Sequence, residues 1–303
     1  MNTDEKRNQS NRDELSERLA SRAPNEGANT QADGLNFYRH ANPTQPVHGV
    51  YSPSICIIAQ GAKEVLLGEE RFRYDPANFL LCSLDVPVVA QVVEATPKKP
   101  YLGMKMDLDP TLIASVSVET GIAPGRGDAS VKSIAVNKLE GDLLDAVVRL
   151  IRLLDSSSDY RVVSPLVIRE IVYRLLISDQ GPRLRQMAAF GGHTNRITKA
   201  VQTLRSRFTE ALSIEDLASE LGMSASSFHQ HFKTATSMSP LQFQKLLRLQ
   251  EARRLLISED LDASTAAVRV GYDDASQFTR EYKRLFGDPP MRDVARFKQV
   301  AAQ

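Results

Sequence analysis

Polar and charged residues dominate the first 34 positions. Leu15 and Leu19 fall on one side of a short amphipathic helix predicted over residues 11–22, and the rest of this segment is expected to be flexible. From Leu35 to about Ala135 the pattern changes. Short runs such as "SICIIAQG", "KEVLLG", "RFRYD", "FLLCSLDVPVVAQVVEA" and "YLGMKMDLD" are rich in β-branched residues and bounded by Gly, Pro, Asp and Asn. They predict strands of a sandwich or barrel, with hairpin or turn signals at "LGEE" (67–70) and at Asp75-Pro76. From Val136 the apolar spacing becomes helical: Leu139, Leu143, Leu144, Val147, Val148, Ile151 and Leu154 recur at three and four, with Asn137 as the expected N-cap. A second helix is expected to open at Ser164-Pro165, to run through Leu166, Ile168, Ile171, Val172, Leu175 and Leu176, and to close at Gly181-Pro182. From Met187 onward only helices are expected. The fold class is α+β, divided as 1–34, 35–135, 136–185 and 186–303. The two stripes of the third segment are too apolar to stay single, so they pack on each other, on the strands or on a second subunit.

The helical C-terminal part repeats itself. "LASELGMSASSFHQHFKTATSMSP" (217–240) and "AAVRVGYDDASQFTREYKRLFGDPP" (266–290) share one order: small residues, Gly, an aromatic or Met, a polar turn, a Phe with a second aromatic four residues on, a Lys and a closing Pro. In the first copy Ser213 caps a helix with Ile214, Leu217, Ala218 and Leu221 on its apolar face. Gly222 ends that helix, and Ser224 caps a second one that buries Phe228 and Phe232. The second copy matches through Ala266, Ala267, Val270, Gly271, Phe278 and Tyr282, with a turn one residue longer. Both read as helix-turn-helix units, at about 213–233 and 262–284. A generic packed helix pair also shows apolar stripes, but generic packing does not hold the Gly, aromatic, Lys and Pro offsets together twice.

With the aromatic positions inward, Ser226, His229, Gln230 and Lys233 face out in the first unit, and Ser276, Gln277, Thr279, Arg280 and Lys283 in the second. Small or hydrogen-bonding side chains with terminal cations suit base edges and phosphates. A merely solvated face carries more Glu, and here only Glu281 occurs, nearer the apolar side. "PLQFQKLLRLQEARRLLI" between the units is long enough for a helix that holds two recognition helices roughly one DNA turn, ~34 Å, apart. Lys245, Arg248, Arg253 and Arg254 supply cations along it, some of them available for structural ion pairs.

Composition changes this picture little. The 303 residues are 42% hydrophobic and 25% charged with a net charge of +1, those of an ordinary globular protein. From Gln186 onward 16 Lys+Arg stand against 13 Asp+Glu, so nucleic-acid binding needs a local basic face. No apolar run reaches the length of a membrane span, and the charged N-terminus lacks the apolar core of a signal peptide. Two cysteines give no disulfide framework, so a reduced, cytoplasmic protein is expected.

The stretch from about Ile197 to Arg292 closely resembles the AraC/XylS-type transcription regulators, on "LASELGMSASSFHQHFK", "SP" at 239–240, "RLQEARRLL" at 248–256 and the second repeat. Ser237 stands where the family's first unit usually has Gly, and Asp288 where Thr or Ser is frequent. The resemblance implies that Ser226, His229, Gln230, Ser276, Gln277 and Arg280 face the major groove of double-stranded promoter DNA. "PSICIIAQGAK", "SLDVPV" and "KPYLGMKMDLDP" resemble the N-terminal domain of one subgroup of these regulators, a cupin-like β-barrel with an effector-binding or regulatory role.

The nearly continuous apolar runs at 53–61 and 79–94 suit a barrel with an enclosed, mainly apolar interior holding a small, weakly polar effector without metal or other cofactor. Cys56, Ala59 and Cys82 are the candidate pocket residues. A barrel filled by its own side chains, one that binds a protein partner, and one that senses redox or electrophiles through a cysteine stay open beside this reading. A metal-dependent cupin enzyme is disfavoured, because His40 and His48 precede the first clear strand and His229 and His231 point apart on a helix. A DNA-repair alkyl-transfer protein needs a cysteine cluster that two separated thiols do not supply. The expectation is therefore a homodimeric regulator and no enzyme, with RNA polymerase as a partner if it activates.

Overall fold

In the computed structural model the charged N-terminal stretch is ordered. Helix α1 runs Thr3–Arg22, eight residues further toward the N-terminus than the spacing of Leu15 and Leu19 indicates. Those two leucines are buried with Asn11. The flanking charges are engaged by residues 142–155: Arg152 donates to Glu14 at 2.5 and 2.7 Å, Arg18 and Arg22 donate to Asp155 at 2.7 and 2.5 Å, and Arg7 donates to Asp142 at 3.1 Å. Strand β1 (Gly27–Ala32) follows, also inside the segment expected to be flexible. The correction has a plain cause: two large apolar side chains anchor the helix, and ion pairs rather than solvent satisfy its polar flanks. The described residues are 3–121, 131–188, 192–259 and 261–301. They divide into two units, Met1–Thr198 with Thr234–Ser237, and Lys199–Lys233 with Met238–Gln303.

The first unit continues with β2 (Leu35–His40), β3 (Val47–Tyr51), β4 (Ser54–Gln60), β5 (Ala62–Leu67), β6 (Glu70–Tyr74), β7 (Asn78–Cys82), β8 (Val86–Glu94) and β9 (Tyr101–Asp107). Helix α2 (Pro110–Glu119) and β10 (Ile134–Lys138) complete the strand region. Two antiparallel sheets result, ordered β1-β2-β9-β4-β7-β10 and β3-β8-β5-β6. The β5–β6 hairpin closes at Gly68-Glu69, where Gly68 has φ 60, and Pro76-Ala77 turns between β6 and β7. Alternation along the strands of the larger sheet separates two faces. Phe37, Ile55, Ile57, Phe79, Leu81 and Met104 join the core that contains Leu15 and Leu19. Tyr38, Cys56, Cys82, Tyr101 and Lys105 take the other face, toward the smaller sheet, as the 5.8 Å from Lys63 Nζ on β5 to the Tyr38 ring centroid shows.

Helices α3 (Gly141–Leu153), α4 (Ser157–Ile177) and α5 (Gly181–Ala188) follow. Asn137 is no N-cap: it lies in β10 opposite Phe79, and α3 begins after Glu140. Nor does a helix open at Ser164-Pro165. Helix α4 starts eight residues earlier, at Ser157, capped by Ser156, whose side chain accepts from the Asp159 amide. Pro165 is tolerated inside it because it sits on the solvent-facing side. The α3 stripe of Leu144, Val147, Val148 and Ile151 is buried in the same core as the sheet, α1 and one face of α4. It is therefore not free for a second subunit. Gly181-Pro182 does not close α4, which ends at Ile177, but opens α5, whose Leu184 is buried in the same core, so this helix packs with the first unit.

The remainder is helical: α6 (Gly192–Ser206), α7 (Ile214–Glu220), α8 (Ala225–Thr236), α9 (Pro240–Ser258), α10 (Ala263–Arg269), α11 (Ala275–Phe286) and α12 (Pro290–Ala301). The first repeat is α7–α8 and the second α10–α11. Ser213 caps α7, Asp262 caps α10 and Asp274 caps α11, each accepting amide hydrogen bonds in the first turn, and Ser239 with Gln242 forms a capping box on α9. The turn glycines hold positive φ, 63 at Gly222 and 84 at Gly271. After the second helices Ser237 (φ 57) and Gly287 (φ 88) occupy the same left-handed role. No helix among the described residues is long and apolar enough to cross a membrane.

Candidate nucleic-acid interface

Each second helix is fixed by aromatic side chains on its inner face. On α8, Phe228 and Phe232 are fully buried with ring centroids 5.5 Å apart, and Phe232 meets Phe243 of α9 edge-on at 5.4 Å. On α11, Phe278 lies 5.3 Å from Tyr272 and 5.6 Å from Tyr282, which in turn contacts Phe286 at 4.5 Å. Such pairs add packing specificity beyond burial. They leave the opposite face to polar side chains.

The residues expected on that face are there. Ser226, His229, Gln230 and Lys233 are exposed on α8, and Ser276, Gln277, Arg280 and Lys283 on α11. Thr279 differs, being half-buried with its hydroxyl donating to Ala275 O at 2.9 Å. It is committed to its own helix and is the weakest candidate for a base contact. Arg280 is 73% exposed, with Asp274 3.9 Å away. Neither Lys233 nor Lys283 forms an ion pair among the described residues, which leaves their ammonium groups available for phosphate.

Helix α9 has 19 residues, about 28 Å at 1.5 Å per residue. Its cations are structural. Arg248 donates to Phe208 O (2.6 Å), Thr209 O (3.2 Å) and Glu210 O (2.8 Å). Arg253 makes a bidentate pair with fully buried Asp293 at 2.8 and 3.0 Å, and Arg254 pairs with Glu251 at 2.7 Å. Lys245 reaches Glu281 at 2.8 Å. Glu281 is the residue that sequence reasoning passed over. It accepts from Tyr272 Oη at 2.8 Å and from Gln277 Nε2 at 3.4 Å. Burial alone raises its carboxyl, but the hydrogen bonds from Lys245, Tyr272 and Gln277 outweigh burial and hold it below the usual carboxylate range. It thereby ties α11 to α9 and orients Gln277. Its position between the polar and apolar faces was the available signal.

In the first unit the three pocket candidates separate. Cys56 and Cys82 lie on the face toward the smaller sheet, at 7% and 0% exposure. Ala59 packs with Leu102 and the α1 side of the core, on the opposite face of β4. It is therefore corrected to a core residue, and the odd-numbered positions of β4 look away from the inter-sheet space. Burial pushes both thiols above their ordinary value, and Cys82 Sγ donates to Leu84 O at 3.1 Å. No group of three or more His, Cys, Asp or Glu able to hold a metal occurs among the described residues.

Two helix-turn-helix units held by one long helix, preceded by a two-sheet unit, define a DNA-binding transcriptional regulator with an N-terminal regulatory domain. The chain belongs to the AraC-type transcriptional regulators: the family model "AraC-type transcriptional regulator N-terminus" matches residues 31–183, and a helix-turn-helix domain model matches residues 217–296. The transcriptional activator RhaS of Escherichia fergusonii is 28% identical over 170 residues, 55% of this chain and 59% of that protein, and RhaS of Salmonella schwarzengrund is 27% identical over 169 residues. The match thus spans under two thirds of these relatives. ToxT of Vibrio cholerae shares the fold at 12% identity, with a TM-score of 0.54 over 86% of this chain and 97% of that one. A second ToxT structure, with unsaturated fatty acid bound, gives a TM-score of 0.52 at 10% identity, over 86% of this chain and 94% of that one.

Proposed function

We propose that the protein binds promoter DNA through α8 and α11 and alters transcription when its sheet unit binds a small effector, with no catalytic activity of its own. The observation that carries the reading is the pair of exposed polar helix faces repeated on either side of α9, with Arg280 73% exposed beside Asp274 and Lys283 without an ion pair among the described residues. The RhaS relatives, named as activators, support RNA polymerase as a further partner, and a cytoplasmic location accords with that role. The fatty acid in ToxT supports a small-molecule ligand for the N-terminal unit. The alternative of a thiol sensor is disfavoured by the burial that holds both thiols protonated. The test is affinity selection of genomic fragments by the full chain, followed by anisotropy on the selected site. Arg280→Ala should cost about 1–3 kcal/mol on that site and far less on random DNA, while Lys283→Ala should weaken both alike. Equal losses for Arg280→Ala on the two DNAs would refute base reading.

The reading includes a homodimer through the helical segment 136–185, narrowed to the outer face of α4 because the α3 stripe is buried in the core. Val162, Leu166, Tyr173 and Ile177 are 69%, 66%, 40% and 55% exposed and recur along one side of that helix. A stripe of this kind is self-complementary about a two-fold axis. Leu166→Asp should convert a dimer into a monomer in light scattering, and an unchanged mass would remove this face from the proposal.

A further inference from the structure

The space between the two sheets is not purely apolar. Register brings its polar side chains together: Tyr38 pairs with Gly103 and Cys56 with Lys105 in the larger sheet, and Lys63 with Tyr74 in the smaller. Lys63 Nζ lies 5.8 Å from the Tyr38 ring centroid and 5.6 Å from that of Tyr51, so rings from both sheets flank one ammonium. Tyr74, Tyr101 and Cys56 are buried, whereas Tyr38, Tyr51, Ser52, Lys63 and Lys105 are half-buried. That gradient runs from side chains closed off from solvent to side chains that solvent reaches.

The charges at the solvent-reached end are unbalanced. Lys105 is satisfied, donating to Asp107 at 2.7 Å and to Ser52 Oγ at 2.9 Å. His40, 6.1 Å from the Tyr101 ring, is paired with Glu26 at 3.5 Å. Lys63 has no carboxylate within ion-pair distance among the described residues. A half-buried ammonium flanked by two rings, with no carboxylate at ion-pair distance among the described residues, is incompletely compensated, and a ligand anion supplies what is missing. Tyr101 is also pre-set. A Cβ at position 103 would lie 2.4 Å from its phenol oxygen, so Gly103 is what lets this ring lie along β9 within the cluster.

We propose that the inter-sheet face binds a small organic monoanion, a carboxylate on a flat apolar body, with Lys63 as its counter-ion and the rings of Tyr38 and Tyr51 against that body. The proposal rests on the reading of the first unit as effector-binding and specifies the effector's chemistry. One unpaired lysine suits a single negative charge rather than a phosphate dianion. A cationic ligand meets Lys63 and finds Asp107, the nearby acid, already engaged.

The test uses the full chain and three probes of nearly equal shape: benzoate, benzamide and benzylamine, followed by calorimetry and thermal shift. Benzoate should bind at least ~10-fold more tightly than benzamide, since charge-assisted hydrogen bonds exceed neutral ones, and benzylamine should not bind. Lys63→Gln should reduce benzoate to the benzamide level, Lys63→Arg should retain the preference, and Lys99→Gln on the surface should change nothing. Should Lys63→Gln fail to fold, the ranking of the probes on the wild type and on Lys63→Arg decides. Benzamide binding as tightly as benzoate, or benzoate binding unchanged in Lys63→Gln, overturns the anion assignment while leaving effector binding intact. No binding of any probe also overturns it. Absence of a response to neutral, acidic and basic metabolite pools alike, in reporter output from the full-length regulator, overturns the effector reading itself.

Discussion

The two turn glycines, equivalent in the repeat, should tolerate a methyl group very differently. At Gly222 (φ 63) an added Cβ meets nothing within 4 Å. Alanine there costs the left-handed conformation, ~1–2 kcal/mol, offset by ~0.4–1 kcal/mol through the reduced freedom of the unfolded chain. The net loss is about 1 kcal/mol. At Gly271 (φ 84) a Cβ lies 2.0 Å from Thr209 O, 2.7 Å from its carbonyl carbon and 3.0 Å from its Cα. Backbone, unlike a side-chain tip, cannot swing aside. Moving it also disturbs the Arg248 hydrogen bonds to Phe208 O, Thr209 O and Glu210 O. Overpacking adds ~1–3 kcal/mol and each weakened hydrogen bond ~1 kcal/mol, so Gly271→Ala should lose ~3–5 kcal/mol in total. For a unit of this size 1 kcal/mol moves Tm by ~4–8 °C. Calorimetry of the full-length variants should therefore show the helical unit melting a few degrees lower for Gly222→Ala and some 15 °C or more lower for Gly271→Ala. Shifts that agree within about 1 kcal/mol would refute the close approach of residue 271 to the Thr209 backbone.

Three further outcomes follow from the same contacts. Asp293 is fully buried and accepts from Arg253, Arg296 and Tyr282 Oη, so Asp293→Ala, which removes the carboxylate of a bidentate pair from the 14%-exposed Arg253, should cost ~3–5 kcal/mol in urea unfolding, and a loss below ~1 kcal/mol would contradict the network. Glu14, held at about 2 by the Arg152 hydrogen bond against an ordinary 4.5, has a depressed carboxyl; its contribution is present above about pH 4.5 and is lost as pH falls toward 2, so Glu14→Gln should flatten the acid slope of Tm in that window, and an unchanged slope would exclude the pair as its source. Glu281→Ala should release Gln277 and reduce discrimination at the base it reads, by ~1 kcal/mol in anisotropy on single-base variants of the selected site; full retention of discrimination would leave Glu281 with only a packing role.

How much of this was legible depended on whether the deciding contacts are local. The repeat could be read because a Gly at the turn and aromatics four apart on the second helix specify a helix-turn-helix within some twenty residues. The outward faces followed from helical period alone, except at Thr279, where the hydroxyl turns back to its own helix. Helix α1 could not be read to its full length, because what holds residues 3–10 is charge matched to residues more than a hundred positions away. The same distance hid the roles of Arg253 and Arg248, which as sequence look like phosphate ligands and as structure brace the second unit.

Strand β4 poses a sharper problem. Six of its seven residues are buried, and a strand covered on both faces shows no alternation from which to choose the inner one. By sequence Ala59 and Cys56 are equal candidates, and only the topology sets odd positions against the helices. Polar intrusions carry the missing information. In "AKEVLL" Lys63 shares parity with Val65 and Leu67, both fully buried, and in "YLGMKMD" Lys105 shares parity with Tyr101 and Gly103. A charged residue on the buried parity of a strand is costly unless something compensates it. Asp107 compensates Lys105. For Lys63 no carboxylate lies within ion-pair distance among the described residues, and the strand pattern, read for the exception instead of the rule, marks where the proposed anion would place its charge.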